Sequence, residues 1–235
     1  LPEAQLAISG IQVARAIYDT LTAPNEEGEY VPFLAESVTP NETYDSWDIT
    51  LREGVKFHDG TDLTAEVVKN NLDAFRGQYP ARKPLLFVFV FSNINTVEVK
   101  DPLTVTITTK TPWPALPAAL FGSGRIGISA QAQLDDAETC DRNLIGTGPF
   151  KFEEWRQNES LKAVKNTEYW QTDADGVQLP YLDAIEFQPR IDPSARINGL
   201  LSDELQMIHA SAGESIEQLR QETESGAIRS FESTK

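Results

Sequence analysis

Residues 47–57 constrain the fold more than any other part of this chain. Trp47, Ile49 and Leu51 alternate with polar residues, and Val55 and Phe57 resume the alternation after a Glu-Gly turn. Successive side chains of a strand point to opposite faces, so a period of two indicates one buried and one solvated face. The segment therefore predicts half-buried strands that are separated by a tight turn.

Helix and hairpin signals follow this stretch. Thr64 is placed to cap a helix over residues 65–75. Residues 94–99 and 103–107 predict a β-hairpin whose solvent face is lined with threonines. The apolar run over residues 85–91 is compatible with a buried strand or with a short buried helix, because periodicity alone does not separate the two.

The rest of the chain predicts further elements of both kinds. Apolar residues at helical spacing indicate a helix over residues 11–21, and an Asp-Pro-Ser sequence starts another at Asp192. A capping box of Ser215 and Gln218 predicts a helix that stops at Gly226. Strands are expected over residues 150–155, 161–164, 181–187 and 207–208. Since strands and helices do not alternate strictly, we expect an α/β fold with mixed sheets.

Composition and charge exclude several classes of protein. Hydrophobic residues make up 40% and charged residues 24% of the 235 positions, which is ordinary for a folded globular chain. No apolar run approaches the ~20 residues that a membrane-spanning helix needs. The net charge is −16 and the basic residues are scattered, so we expect no nucleic-acid partner. A solvated acidic surface is the simplest reason for this charge, although it also favours a cationic solute.

Residues that carry chemistry are sparse. Cys140 is the only cysteine, His58 and His209 are the only histidines, and no cluster at metal-ligand spacing is visible. No phosphate-binding or dinucleotide-binding glycine pattern occurs. We therefore predict no catalytic residues, no metal and no cofactor, and we assign His58 a structural role with local hydrogen bonds. A hydrolase with a carboxylate pair is an alternative, but no feature singles out two of the many carboxylates.

Four tryptophans are spread through the chain. Trp47 and Trp155 belong to strand patterns and are predicted to lie in the core. Trp113 lies in a proline-rich loop, where a core position and exposure toward a ligand cleft are equally compatible with the sequence. Trp170 follows a polar segment and is predicted to anchor packing.

Four segments of the sequence resemble one known family. The longest, WDITLREGVKFHDGTDLTAEVVKNNLDAF (residues 47–75), is similar to the signature region of the family 5 extracellular solute-binding proteins. Three further segments resemble parts of the same family: ARAIYDTLT (14–22), GTGPFKFEEW (146–155) and residues 165–208, which contain KNTEYW, YLDAIEF and DELQMI. Members of this family are receptors of bacterial ABC importers for peptides, nickel complexes and some oligosaccharides.

The resemblance implies a two-lobed fold of the type II periplasmic-binding-protein class with an extra subdomain. In that fold a hinge joins the lobes, and the ligand is enclosed between them. Residues 1–40 and 146–208 would form the core of lobe I, residues 41–145 its inserted subdomain, and residues 209–235 the crossover and the start of lobe II. Since members of the family are longer than this chain, most of lobe II is expected to lie outside it.

The resemblance also implies a function without covalent chemistry. The expected protein captures a peptide or similar small solute and delivers it to ABC permease subunits, at the periplasmic or extracellular face of the cell membrane. It is expected to be a monomer that associates with the membrane only through a lipid anchor or the permease. A non-transport sensor on the same fold is the alternative. Candidate ligand-binding positions on this lobe are Ser9, Gln12, Trp113, Leu144, Ile145, Gly146 and His209.

Overall fold

The computed structural model describes residues 6–139 and 142–232, so Cys140 lies outside the described residues. The chain divides into two compact units. The first comprises Leu1–Arg156 and Leu161–Phe187, and the second comprises Gln157–Ser160 and Gln188–Lys235. The assignment of residues to a lobe core, an inserted subdomain and a crossover stays a prediction.

Helices and antiparallel sheets alternate in groups along the first unit. Its helices are α1 (Ile8–Ile17), α2 (Ala65–Phe75), α3 (Phe87–Val90), α4 (Leu116–Phe121) and α5 (Gln131–Asp135). Its strands are β1 (Thr22–Pro24), β2 (Tyr30–Pro32), β3 (Ala35–Pro40), β4 (Ser46–Leu51), β5 (Ile94–Asp101), β6 (Thr104–Thr109), β7 (Phe150–Arg156), β8 (Ser160–Lys165) and β9 (Ala184–Phe187). They form sheets with the orders β1-β2, β3-β4-β6-β5 and β7-β8-β9.

The four-stranded sheet confirms the alternation that the sequence predicts. In β4, Trp47, Ile49 and Leu51 are buried, and the residues between them are half-buried on the opposite face. The predicted hairpin is the antiparallel pair β5-β6, in which Val97 lies opposite Ile107. Because buried residues of adjacent strands share one face, the sheet presents a continuous apolar surface.

Helix α2 covers this surface and has the predicted limits. It begins after Thr64, whose Oγ1 accepts a hydrogen bond from the backbone N–H of Val67 at 3.4 Å. Val68, Leu72 and Phe75 are buried in the same large apolar cluster as the strand residues. A capped amphipathic helix on a half-apolar sheet is the layered arrangement that buries both apolar faces.

The apolar run over residues 85–91, which the sequence leaves open, is helical from Phe87 onward. It folds into α3 and the start of a 3-10 turn. The prediction that the run is buried is wrong for four of its seven residues, of which Phe89 is 83% exposed. Phe87 and Phe91 are buried, and their rings lie 5.7 and 6.3 Å from the ring of Phe75, centroid to centroid. Trp113 adjoins the group at 6.5 Å from Phe91. These edge-to-face contacts add to the stabilisation that apolar burial provides.

A second, smaller apolar cluster lies where α1 meets the three-stranded sheet. Its buried members are Ala16, Ile17, Tyr18, Phe150 and Ala163. Helix α1 spans Ile8–Ile17. The prediction that it continues to residue 21 is wrong, because Tyr18 has extended backbone angles (φ −119°, ψ 139°). Residues 18–21 are buried in extended form. A short buried extended segment carries the same apolar residues as a buried helix, which explains the error.

Trp155 contradicts its predicted core position. It lies in β7 with 45% of its surface exposed, whereas Phe150 of the same strand is buried. Residues an odd number apart on a strand point to opposite faces, so these two side chains do not share the buried face. The core prediction for Trp155 is therefore wrong, and that for Trp47 is confirmed.

The second unit contains two helices, α6 (Pro193–Leu201) and α7 (Gly213–Glu224), among its described residues. Helix α6 starts as predicted, because Asp192 Oδ1 accepts a hydrogen bond from the backbone N–H of Ala195 at 2.7 Å. This side chain satisfies one of the amide donors that every helix leaves free at its start.

Two predictions for the second unit are wrong. Met207 and Ile208 form no strand, and Met207 is 87% exposed. Two apolar residues are too few to define a strand period. The predicted capping box also fails, because α7 begins two residues before Ser215, which is itself buried inside the helix. Gly226, with φ of +80°, follows the end of α7 as predicted.

Candidate functional site

The glycine turn at residues 146–149 packs directly on the end of α1. The backbone N–H of Gly148 donates to the carbonyl oxygen of Ile17 at 2.9 Å. A β-carbon on Gly146 would lie 2.0 Å from that oxygen, and one on Gly148 would lie 2.6 Å from the Ile17 carbonyl carbon. Only glycine allows two backbones to approach so closely. The Gly-Thr-Gly-Pro sequence is therefore a packing device between distant segments.

His58 bonds to this turn with both ring nitrogens. The backbone N–H of Gly146 donates to Nδ1 at 3.3 Å, so Nε2 carries the proton and donates to the Gly148 carbonyl at 2.9 Å. Burial lowers the pKa of His58 to about 4, which keeps the ring neutral at pH 7. The structural role is confirmed. The expectation of local bonds is wrong, because the partners lie 88 and 90 residues away.

Asp19 is a buried carboxylate beside the same turn, with 3% of its surface exposed. Its Oδ2 accepts hydrogen bonds from Trp170 Nε1 at 2.8 Å and from Thr147 Oγ1 at 3.1 Å. Its Oδ1 accepts from the Tyr169 hydroxyl at 3.2 Å. Burial raises the pKa of Asp19 to about 6, against the lowering effect of these three hydrogen bonds.

Trp170 anchors packing, as predicted. Its indole ring meets Phe33 edge-on, with the ring centroids 5.4 Å apart. The Arg52 guanidinium lies 5.0 Å from the centre of the indole, and Arg52 Nε donates to the Phe33 carbonyl at 2.6 Å. A cation over an indole face is a favourable contact that also orients the ring, so the indole N–H is held toward Asp19.

Residues 128–133 complete this set of contacts. Gln133 Nε2 donates to the Tyr18 hydroxyl at 2.8 Å, and its Oε1 accepts from the backbone N–H of Ile145 at 2.9 Å. The backbone N–H of Ile128 donates to the Asp19 carbonyl, also at 2.9 Å. We call the region where these segments meet the junction; it consists of residues 17–20, 128–133, 145–149 and 166–170.

Five of the predicted ligand positions lie on segments that enter the junction. Ser9 and Gln12 are exposed on α1, whose last residue belongs to the junction. Leu144 and Ile145 are half-buried, and Gly146 is buried. The backbone N–H and carbonyl of Gly146 are both bonded to His58, so this glycine positions its neighbours and offers no free backbone group.

The other two predicted positions lie elsewhere. Trp113 is half-buried against the large apolar cluster, and its backbone N–H donates to the Tyr44 carbonyl at 2.7 Å. Both contacts place Trp113 at the edge of the apolar core. His209 is exposed in the second unit. A part for either residue in ligand binding stays a prediction.

Metal-ligating clusters and membrane-spanning helices are absent from the described residues. Within residues 6–139 and 142–232, no three His, Cys, Asp or Glu side chains are grouped so that they could hold a metal ion. The same residues include no helix that is both long and apolar enough to cross a membrane. Asp19 and His58 have strongly shifted pKa values, and the hydrogen bonds of both side chains join distant segments of the protein.

Sequence reasoning missed Asp19, Thr147 and Tyr169. One signal was present: Asp19 interrupts the apolar run between Ile17 and Leu21, and a carboxylate in a buried run requires buried donors. The donors themselves could not be assigned, because they lie 128, 150 and 151 residues away along the chain.

Comparison with known proteins identifies the family. The model of the bacterial extracellular solute-binding proteins, family 5 Middle, matches residues 29–233. The chain belongs to this family. The glutathione-binding protein GsiB of Salmonella paratyphi A is 36% identical to it over 194 residues, which cover 83% of this chain and 36% of the relative. GsiB of Escherichia coli O157:H7 is 35% identical over the same length. This family 5 chain thus spans about a third of the length of the curated relatives that it matches.

Solved structures share the fold of this family 5 chain. AgaA from A. tumefaciens R10, in complex with agropinic acid, aligns with a TM-score of 0.76 at 30% identity, covering 86% of this chain and 39% of AgaA. A nickel ABC transporter protein from Bacillus halodurans aligns with a TM-score of 0.73 at 31% identity, covering 89% and 41%. HbpA2 from Haemophilus parasuis, at 22% identity and a TM-score of 0.79, agrees in fold. The predicted type II periplasmic-binding-protein fold class is confirmed.

Proposed function

We propose that this chain is part of the solute-binding receptor of a bacterial ABC importer, which captures a peptide or similar small solute between two lobes and delivers it to the permease. The match to the family 5 model over residues 29–233 carries the proposal. The names of the relatives add support, since they specify small solutes: glutathione for GsiB and agropinic acid for AgaA. Glutathione is therefore the first solute to test.

In this proposal the solute contacts the exposed face of α1 and residues 144–146. The side chains of Ser9 and Gln12 are exposed and make no hydrogen bond within the described part of the chain, so they have donors and acceptors to offer a solute. Leu144 and Ile145 supply apolar surface beside them. A second lobe supplies the opposite wall, and closure of the lobes excludes water from the solute. Trp113 and His209 are secondary candidates for contact.

We infer that the receptor works by binding alone, without catalysis or a cofactor. The support is that Asp19 and His58, whose pKa values are strongly shifted by burial, use their side-chain hydrogen bonds on other segments of the protein. The name of the family supports a location outside the cytoplasm. We propose a monomeric receptor at the periplasmic or extracellular face of the membrane, held there by a lipid anchor or by the permease subunits.

Calorimetry on the complete receptor tests the proposal. The panel contains glutathione, short peptides, agropinic acid and a nickel–histidine complex. We expect micromolar or tighter binding of at least one member, and no binding of any member contradicts the proposal. The 235-residue chain alone, which holds one wall of the cleft, is expected to bind weakly or not at all. Micromolar binding by the chain alone would overturn the two-lobe arrangement.

Substitution of Gln12 tests the proposed contact surface. In the complete receptor, Gln12→Ala is expected to weaken binding of the identified solute about 3- to 10-fold, the effect of losing one neutral hydrogen bond. Gln78→Ala is the matched control, because Gln78 is also an exposed glutamine of the first unit and lies outside the proposed surface. Equal affinities of the two variants would exclude a direct contact by Gln12.

A further inference from the structure

The carboxylate of Asp19 is the point at which three other segments of the junction meet the end of α1. Its side chain accepts hydrogen bonds from Thr147, Tyr169 and Trp170, and its backbone carbonyl accepts one from Ile128. All of the side-chain donors are neutral groups. The carboxylate is thus fully bonded but has no positive charge beside it.

Charged groups on the surrounding elements are engaged elsewhere. Within the described residues, no basic side chain forms an ion pair with Asp19. The charged or titratable groups of the elements around it are Arg15, Tyr18, Arg52, His58, Arg125, Lys151, Glu168 and Tyr169. Of these, only Tyr169 reaches the carboxylate, as a hydrogen-bond donor.

The cations among these groups have other partners. The Arg15 guanidinium lies over the Phe121 ring at 5.9 Å, and Arg52 lies over the indole ring of Trp170. Arg125 Nε donates to the Leu6 carbonyl at 3.2 Å. Lys151 is 3.8 Å from Glu168, and His58 is neutral. Ionised Asp19 therefore depends on neutral hydrogen bonds alone to offset the loss of its hydration.

The geometry also fixes where a proton on Asp19 would sit. The Trp170 indole is a donor only, so Oδ2 must remain an acceptor. The proton therefore binds Oδ1 and is donated to the Tyr169 hydroxyl oxygen, which can accept as well as donate. The neutral carboxyl keeps its three partners and removes a buried charge, and the Tyr169 hydroxyl then directs its own proton away from Oδ1.

We propose that Asp19 is a proton-sensitive latch of the junction: the neutral carboxyl holds the four segments together more tightly than the carboxylate does. Through this group the lobe is more stable, and the end of α1 and the glycine turn are more firmly joined, in mild acid than at neutral pH. A protein outside the cytoplasm would be exposed to the pH of the surrounding medium, so an acidic medium would protonate Asp19. The latch is independent of the identity of the solute, and its failure would leave the proposed receptor function untouched.

The sign of the effect follows from linkage. The pKa of Asp19 in the folded chain, about 6, lies above its ordinary value of 3.8, so the folded chain binds this proton more tightly than the unfolded chain. The stability that this proton provides is present below the ordinary value and is lost as the pH rises through 6. Between pH 7.5 and pH 5 the folding equilibrium constant is expected to rise about tenfold from this group.

Carbon-detected NMR titration of the Asp19 carboxyl in the chain tests the first half of the proposal. We expect a midpoint near 6, and a midpoint below 4.5 would overturn the latch. Amide hydrogen exchange tests the second half. After correction for intrinsic rates, the Gly148 and Ile128 amides are expected to be about tenfold better protected at pH 5 than at pH 7.5. The rise should disappear in Asp19→Asn, and an equal rise in that variant would overturn the proposal.

Asp48→Asn is the matched control for these measurements. Asp48 belongs to the four-stranded sheet, where Lys100 and Thr106 bond to it and lower its pKa, so its variant should keep the acid-induced protection at the junction. If Asp19→Asn does not fold, Thr147→Val serves in its place. Loss of the Thr147 donor is expected to move the Asp19 midpoint above that of the unmodified chain. A midpoint that stays unchanged or falls would contradict the latch.

Discussion

The four-stranded sheet and the junction use opposite means to hold distant residues together. The sheet buries apolar side chains such as Ile49 and Val105 and leaves its polar bonds outside; the pair of Lys100 and Asp48, at 2.6 Å, is one of them. The junction buries its polar bonds, with Asp19 as their centre, and brings backbones into direct contact. The same unit thus contains one region that depends on apolar volume and one that depends on individual atoms.

This difference has a consequence for tolerance to change. An apolar core accepts another apolar residue of similar volume at modest cost, because its contacts are not directional. A buried polar network fails when one partner is removed, since the remaining donor or acceptor is left without water or a partner. The sheet should therefore respond to substitutions in proportion to the volume lost, and the junction should respond according to which atom is lost.

The largest effect is expected from Gly146→Ala. The new β-carbon would lie 2.0 Å from the Ile17 carbonyl oxygen, and two backbones would have to separate to admit it. We expect a loss of at least about 4 kcal/mol in the free energy of unfolding, measured by denaturant titration. Gly213→Ala is the control, because nothing lies within 4 Å of its β-carbon position. A Gly146→Ala protein as stable as this control would show that the backbones are not packed as described.

Phe75→Ala is expected to have the next largest effect. This fully buried ring contacts Phe87 and Phe91, and its removal leaves a cavity that costs about 3–5 kcal/mol. Phe75→Leu, which retains much of the volume, should cost clearly less. Equal losses for the two variants, measured by the same denaturant titration, would contradict the claim that the sheet core responds to volume.

Trp170→Phe probes the junction by removing one hydrogen-bond donor while keeping an aromatic ring. The change removes the indole N–H that bonds to Asp19 Oδ2 and is expected to raise the pKa of Asp19 further. We expect a loss of about 1–3 kcal/mol at pH 8, where the carboxylate is ionised and needs its donors. The loss should be smaller at pH 5, where Asp19 is largely neutral. Thermal unfolding at both pH values checks this, and a larger loss at pH 5 would refute the assignment.

Lys100→Gln is expected to have the smallest effect. The ion pair between Lys100 and Asp48 is short, but both side chains are exposed to water, which screens their attraction. We expect no measurable change in melting temperature at physiological salt. A drop in melting temperature as large as that of Trp170→Phe would mean that polar bonds on the sheet and in the junction contribute equally to stability. That result would contradict the proposed difference between the two regions.

The sequence predicts the sheet region well because its information is local. The alternation over residues 47–51 and the Thr64 cap each depend on neighbours within a few positions, and both are confirmed. Val55 and Phe57 are buried as their spacing predicts, but they lie in an isolated bridge region and the second predicted strand does not form. The sequence pattern extends the end of helix α1 too far, to residue 21, since the buried segment after Ile17 has a similar pattern of residues whether it is helical or extended. The exposed Trp155 shows a related limit: its aromatic character favours the core, but its position five residues after the buried Phe150 places it on the opposite face of the strand.

The junction could be predicted only in part. Its glycine turn is conspicuous in the sequence, and the resemblance to family 5 marks it. The glycines are required because they contact the Ile17 carbonyl. This contact depends on two distant segments together, so the sequence of either segment alone does not predict it. The bonds of His58 and Asp19 likewise join residues about 90 to 150 positions apart. A single sequence holds no period or spacing that pairs such residues.

The long span of the junction contacts also sets an order of events during folding. β5 and β6 are joined by a tight turn, whereas Asp19 and Thr147 are 128 residues apart. Closing a long loop costs more chain entropy than closing a short one, and contacts between distant residues form more slowly. We expect the hairpin and the α2-covered sheet to form early, while the end of α1 waits for the glycine turn to be synthesised and folded. Helix α1 would thus be among the last elements of the first unit to pack.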